Sequence, residues 1–194
     1  PSSQRRQTIE TAPSVIPPTD TPPEPSPSPE VPVEEVLGEA AAAVAEAVGE
    51  AVAVVGKTMR NVSPEEATRG IFGWTIGNDI TERDWQKNDP TNLRGKNADT
   101  FKPMGPYIAT GIDPKDMTTN VRLNGTTLHT FATGNMLFSA GEVISDISKT
   151  NTLSPGDVVW LGTDELPQSL KPGDLIEIEI SGIGTLSNRV VAER

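Results

Sequence analysis

Cysteine is absent from this chain of 194 residues, which excludes disulfides, thiol catalysis and thiolate-bound zinc while saying little about compartment. Histidine occurs once, at His129; placed just after a predicted hairpin, it reads as an ordinary strand residue rather than a general base. Basic side chains are few, 16 Lys and Arg against 27 Asp and Glu, for a net charge of −11. Nucleic acid and anionic membrane are therefore excluded as partners, because both require a basic footprint. No apolar run approaches the ~20 residues of a membrane span, and no signal-peptide core opens the chain. The expectation is a soluble cytoplasmic protein, with a mitochondrial location as the alternative.

Aromatic residues make up only 4 %, and none precedes residue 70, so the core has to be built from the later part. Ten of the 18 prolines instead fall in residues 1–33, with Ser, Thr and Glu between them. That composition predicts a disordered, polyproline-like tail over 1–33. Its Pro-x-x-Pro spacings, Pro22 to Pro25 and Pro29 to Pro32, match ligands of proline-recognising domains but arise readily in any such tract. The Ala- and Glu-rich run that follows predicts a helical segment over 34–50, and Ala51 to Val55 a short β-branched strand.

Farther on, local signals carry mechanisms. Ser63 with Glu66, and Ser139 with Glu142, are capping boxes, predicting helices from Pro64 to about Gly70 and over 140–149. Val143, Ile144 and Ile147 form the apolar face of the second. Asn124-Gly125 accepts the positive φ angles of a type I′ hairpin turn. Lys87 to Ala98 reads as a mobile polar loop, and Gly105 to Thr110 as a strand with Met104 and Tyr107 in the core. Two Pro-Gly-Asp turns, 155–157 and 172–174, each launch a strand. In the second, Ile176, Ile178 and Ile180 alternate with Glu177 and Glu179, the pattern of a sheet with one wet face.

The densest chemistry lies at 73–86. A strand, Phe72 to Ile76, breaks into Gly77, Asn78, Asp79, Glu82, Arg83, Asp84 and Gln86 beside two tryptophans, more polar function than a solvated turn requires. Gly73, Trp74, Thr75, Asn78, Asp79, Thr81, Arg83, Asp84 and Gln86 follow a spaced pattern. It continues in Gly95, Lys96, Asp99 to Phe101, Pro103, Gly105 and Pro106, then in the hairpin, the two Pro-Gly-Asp turns and Gly182 to Asn188. Over about residues 54–194 this chain resembles the fumarylacetoacetate hydrolase family.

The resemblance implies an α+β, mostly β fold, a mixed β-sandwich roll with a few short helices, occupying 51–194. It implies a metal-dependent enzyme acting on a small 2-oxo acid or its enol, by isomerase, decarboxylase or acylpyruvate hydrolase chemistry. Glu50 and Asp79 are the implied ligands of Mg²⁺ or Mn²⁺. Lys96 is the implied catalytic residue, and Arg83, Gln86, Lys96 and Thr163 would meet a small-molecule carboxylate substrate; a homodimer is implied as well. Physically, Arg can grip a carboxylate with two parallel bonds and Lys can stabilise an enolate. The residues alone also allow Asp79 as a turn cap, Arg83 paired with Asp84 or Glu82, and Lys96 in solvent.

Three departures set this chain apart. Val48 stands where the family's first metal-binding Glu belongs. The His that activates water for hydrolysis has no counterpart, so enol chemistry is favoured over hydrolysis. The substrate loop reads Gly162-Thr-Asp-Glu-Leu-Pro167. These departures define the alternative: a non-catalytic relative serving as a scaffold or complex subunit, or a truncated inactive product.

Overall fold

The computed structural model describes residues 35–37, 45–164 and 168–192; the Pro-rich tail, and with it the expectation of disorder, lies outside them. The first described strands are β1 (Glu35–Leu37), β2 (Ala45–Ala47) and β3 (Gly49–Val55). No described residue of 34–50 is therefore helical: 35–37, 45–47 and 49–50 are strand, and Val48 lies in neither helix nor strand. Ala favours helix only weakly, and tertiary pairing overrides that preference. Ala45 and Ala47 are buried on a strand that is paired on both sides, by two other strands.

Helix α1 (Pro64–Gly70) carries the predicted capping box, with Ser63 and Glu66 exchanging bonds. It delivers the chain into β4 (Ile71–Asn78), followed by β5 (Thr81–Glu82) and the single turn α2 (Arg83–Gln86). The predicted loop over 87–98 contains α3 (Leu93–Asn97). Asp89 organises it: one carboxylate oxygen accepts from the Arg94 and Gly95 N–H groups, the other from Thr91. Then come β6 (Met104–Ala109), β7 (Thr118–Leu123) and β8 (Thr126–Ala132). Asn124 and Gly125 turn the β7–β8 hairpin at φ 52° and 80°, the predicted I′ geometry. Helix α4 (Ala140–Thr150), with its own capping box, precedes β9 (Val158–Trp160), β10 (Gln168–Leu170), β11 (Leu175–Ile180) and β12 (Gly184–Ala192).

These strands form sheets ordered β1-β12-β11-β7-β8, β10-β2-β5 and β6-β4-β3-β9, antiparallel throughout except for the β1–β12 pair. Ile176, Ile178 and Ile180 are buried on β11, while Glu177 and Glu179 turn outward to Arg122. The five- and four-stranded sheets share one core, in which Ile178 and Val121 meet Ala51, Ala53, Trp74 and Ile76. At Gly49 the approach is so close that a Cβ would lie 2.7 Å from Ile178 Cγ2. The fold is the expected mostly-β α+β sandwich. One placement differs: Met104 and Tyr107 are exposed, at 44 % and 60 %, because β6 is the edge of its sheet and only one flank is covered.

Two turns are locked together beside the core. Asn124 Nδ2 donates to Asp174 Oδ1 (2.8 Å), the Lys171 N–H donates to Oδ2 (3.0 Å), and Asn124 Oδ1 accepts from the Leu175 N–H (2.9 Å). Burial pushes the Asp174 carboxyl up, but the bonds from Asn124 and Lys171 and the Lys171 charge outweigh it, so the pKa is lowered. A lowered carboxylate stabilises the fold above its unfolded value of about 3.9, and that contribution is lost as pH falls through the folded value. Asp174→Ala is therefore expected to cost about 1–3 kcal/mol in urea denaturation at neutral pH. The gap should shrink below about pH 4; a gap independent of pH would contradict this account.

Candidate active site

The site is set by where β4 ends. In the β3–β4 ladder Glu50 faces Gly77 and Gly49 faces Asn78, and Asp79 follows immediately. The backbone there is pinned on two sides: the Asp79 N–H donates to the Val48 carbonyl (2.9 Å), the Asn78 N–H to the Pro103 carbonyl (3.1 Å) and the Ile80 N–H to the Phe101 carbonyl (3.2 Å). Asn78 Nδ2 also reaches Asn188 on β12 (3.2 Å), tying the strand end to the opposite sheet. Segments 48–50 and 101–103 are thus held against Asp79 by main-chain bonds, independently of their side chains.

Four charged groups gather there. Asp79, buried, receives the Lys96 ammonium at Oδ2 and the Lys102 ammonium at Oδ1. Glu50, also buried, accepts the Gly162 N–H at Oε2 (2.9 Å). Burial pushes the Glu50 carboxyl above the usual range; the Gly162 bond draws it back, the Asp79 charge raises it, and Lys102 and Lys96 lower it. Trp160 walls the site. Its ring lies over Gly77, where any Cβ would overlap it, and Lys102 Nζ sits 4.5 Å from the ring centroid. Thr163, half-buried on the loop after Gly162, lines a cavity of about 290 Å³ with Gly162, Phe131 and Phe138. Asp79 and Lys96 do not line that cavity.

Arg83 and Gln86 form a second cluster. Arg83 Nε pairs with Glu46 Oε2 on β2 (2.5 Å), and its Nη1 donates to Gln86 Oε1 (2.7 Å). Gln86 Nε2 in turn donates to Asn92 (3.0 Å). Glu82 does not pair with Arg83: its carboxylate caps α2 through the Asp84 and Trp85 N–H groups. Asp84 pairs with Lys87 (2.6 Å). Trp85 stacks on Phe101 at 6.0 Å, with Arg94 on the Trp85 ring, which fixes the segment before Lys102.

Of the residues singled out by sequence, Glu50, Asp79 and Lys96 come together. Arg83 and Gln86 bond each other, and Thr163 adjoins the site through Gly162. His129 is across the hairpin from Val121, and Glu165 to Pro167 lie outside the described residues. Lys102, Glu46 and Trp160 were not singled out. Lys102 occupies the variable place between Phe101 and Pro103, so the motif itself gives no signal for it.

The donor set does not suit a divalent cation as arranged. Mg²⁺ and Mn²⁺ need carboxylate oxygens free to coordinate, and both oxygens of Asp79 are taken by ammonium groups. Among the described residues no cluster of three His, Cys, Asp or Glu side chains is present, and Val48 adds none. Nor is any helix among them long and apolar enough to cross a membrane.

With this fold and this strand-end cluster, residues 13–191 match the fumarylacetoacetate (FAA) hydrolase C-terminal family, and the chain belongs to it. Among similar proteins, the Dictyostelium discoideum fumarylacetoacetate hydrolase domain-containing protein 2 homolog is 38 % identical over 72 % of this chain and 52 % of its own length. Oxaloacetate tautomerase YisK of Bacillus subtilis is 38 % identical over 71 % of this chain and 49 % of its own. The crystal structure of 5-carboxymethyl-2-hydroxymuconate delta-isomerase from Mycobacterium smegmatis superposes with a TM-score of 0.79. It is 36 % identical, covering 84 % of this chain and 64 % of that one. The chain thus spans about half the length of these curated relatives.

Proposed function

We propose that this chain carries the catalytic portion of an enzyme that interconverts a small 2-oxo acid and its enol. The observation that carries this reading is the buried Asp79 holding the Lys96 ammonium at the end of β4. An ammonium already oriented by a buried carboxylate needs no reorganisation to meet charge developing on an enolate oxygen, the condition under which electrostatic stabilisation is strongest. Lys96 spends one of three N–H donors on Asp79 and keeps two for substrate. Arg83 is gripped at Nε and Nη1 by Glu46 and Gln86, which leaves Nη2 for the substrate carboxylate. Relatives named tautomerase and isomerase support this class of chemistry. Hydrolysis fits less well, because no His among the described residues of the site could activate water.

The family resemblance supports metal dependence, with Glu50 and Asp79 as the residues that would hold the cation and polarisation of the 2-oxo group as its contribution. The ammonium pairing of Asp79 weighs against it. The test of the function is decay of the enol form of oxaloacetate, followed by its ultraviolet absorbance with and without added Mg²⁺, with acylpyruvates and hydroxy-dienedioates assayed alongside. Turnover above the buffer rate for at least one substrate is expected. The second reading, a non-catalytic scaffold, is favoured by the engagement of both Asp79 oxygens. It predicts folded protein with neither turnover nor binding of oxalate, a planar enolate analogue.

The same reading includes a homodimer in the cytoplasm, or in mitochondria as for the relative named oxaloacetate tautomerase fahd2, mitochondrial, of Xenopus laevis. Its support is the edge strand β6, where Met104, Tyr107 and Ile108 are exposed beside unpaired backbone groups. Light scattering is expected to give twice the chain mass, and Tyr107→Glu to halve it; a monomeric wild type would refute this interface.

A further inference from the structure

We propose that Lys102 covalently supplies the positive charge that the family resemblance assigns to a divalent cation, so that substrate oxygen is held between two ammonium groups, Lys96 and Lys102, without a metal. This rests on the reading of the site as one for a 2-oxo acid or its enol.

Charge comes first. Two carboxylates, Glu50 and Asp79, stand against two ammonium groups, so the cluster is neutral as it is. A third carboxylate would leave an excess negative charge to attract a cation, and position 48, two residues before Glu50 and next to Asp79 through its carbonyl, holds Val. Loss of that acid and presence of Lys102 compensate each other. A divalent ion entering here would face two like charges in a partly buried setting, where repulsion is screened less than in open water.

Placement comes second. Lys102 is not a surface lysine that happens to reach Asp79. Phe101 before it is buried and stacked on Trp85, and the Pro103 carbonyl after it accepts the Asn78 N–H. Both flanking residues are tied through their carbonyls to the backbone on either side of Asp79, Phe101 to the Ile80 N–H and Pro103 to the Asn78 N–H. The ammonium rests on the Trp160 face, whose own position is set by close packing on Gly77. A cation fixed by a carboxylate on one side and an aromatic face on the other is oriented before substrate arrives, and with three donors it retains bonds to offer.

The experiment is calorimetric titration of Mg²⁺ and, separately, of oxalate in chelator, into the full chain, Lys102→Met and Val48→Glu/Lys102→Met. Wild type is expected to take up no Mg²⁺ and to bind oxalate, or turn over oxaloacetate, equally with and without EDTA. Lys102→Met should lose roughly tenfold or more in oxalate affinity, the loss of one charge-assisted bond. The double variant should gain Mg²⁺ binding, which a merely structural lysine would not produce. Wild type binding Mg²⁺ as tightly as the double variant, or Lys102→Met binding oxalate as wild type does, would overturn the proposal. If no form binds oxalate or turns over substrate, the functional reading fails, and the Mg²⁺ arm alone still decides whether Lys102 replaces a cation.

Discussion

Asp79→Ala is expected to lower kcat for an enolisable 2-oxo acid by on the order of 10²–10³-fold while leaving the protein folded. Asp79 is the anchor for both ammonium groups, and without it neither is held toward the substrate. The separation of activity from stability follows from exposure. The Lys96 and Lys102 side chains are 26 % and 28 % accessible, so each can swing into water when Asp79 is removed, while the buried Glu50 carboxylate keeps its bond from the Gly162 N–H. Circular dichroism should be unchanged, and the melting temperature should move by only a few degrees, about the effect of 1 kcal/mol in a domain of this size. Asp79→Asn, which keeps one acceptor oxygen, should fall between wild type and alanine. Wild-type turnover in Asp79→Ala would remove the ion pair from the mechanism.

The largest stability effect is expected at Ile178. It lies on β11, in the middle of the five-stranded sheet, 1 % exposed, and packs toward Gly49 and Val121 at the junction of the two sheets. Truncation to alanine removes three carbons where backbone from the facing sheet already approaches closely, leaving a void that rigid strands fill only in part. Ile178→Ala should cost about 2–5 kcal/mol, a large part of the roughly 5–15 kcal/mol that holds a domain together. The urea midpoint measures it, with the exposed Val158→Ala expected within about 0.5 kcal/mol of wild type as the control. A loss under about 1 kcal/mol at Ile178 would mean that the sheets do not meet there.

The features legible in the sequence are those whose determining interaction is short-range. A Ser three residues before a Glu closes a capping box from either end of one helical turn, and both predicted boxes form. Asn-Gly turns a hairpin because those two residues accept positive φ, and the alternating Ile and Glu of β11 divide between core and Arg122 because a strand has period two. Asp79 and Lys96, seventeen residues apart, were paired only through a spaced motif, since nothing local connects them.

Features that depend on a distant neighbour are not legible in the sequence. Ala45 to Ala47 form a strand because β5 and β10 flank them, and no window around those alanines contains that information. Met104 and Tyr107 are apolar yet exposed because β6 is an edge. Arg83 pairs with Glu46 rather than with Asp84 or Glu82 because β2 pairs with β5.

From the sequence by itself came the helix caps, the hairpin turn, the inward face of β11, the family and the Asp79-centred motif, all of them consequences of backbone geometry and side-chain spacing along the chain. Only the tertiary structure decided that Asp79 is shared between two lysines, that Lys102 is one of them, and that Trp160 seats it. Those facts depend on three segments, 48–50, 101–103 and 160–162, being drawn to one strand end by hydrogen bonds and close packing between residues far apart in the chain.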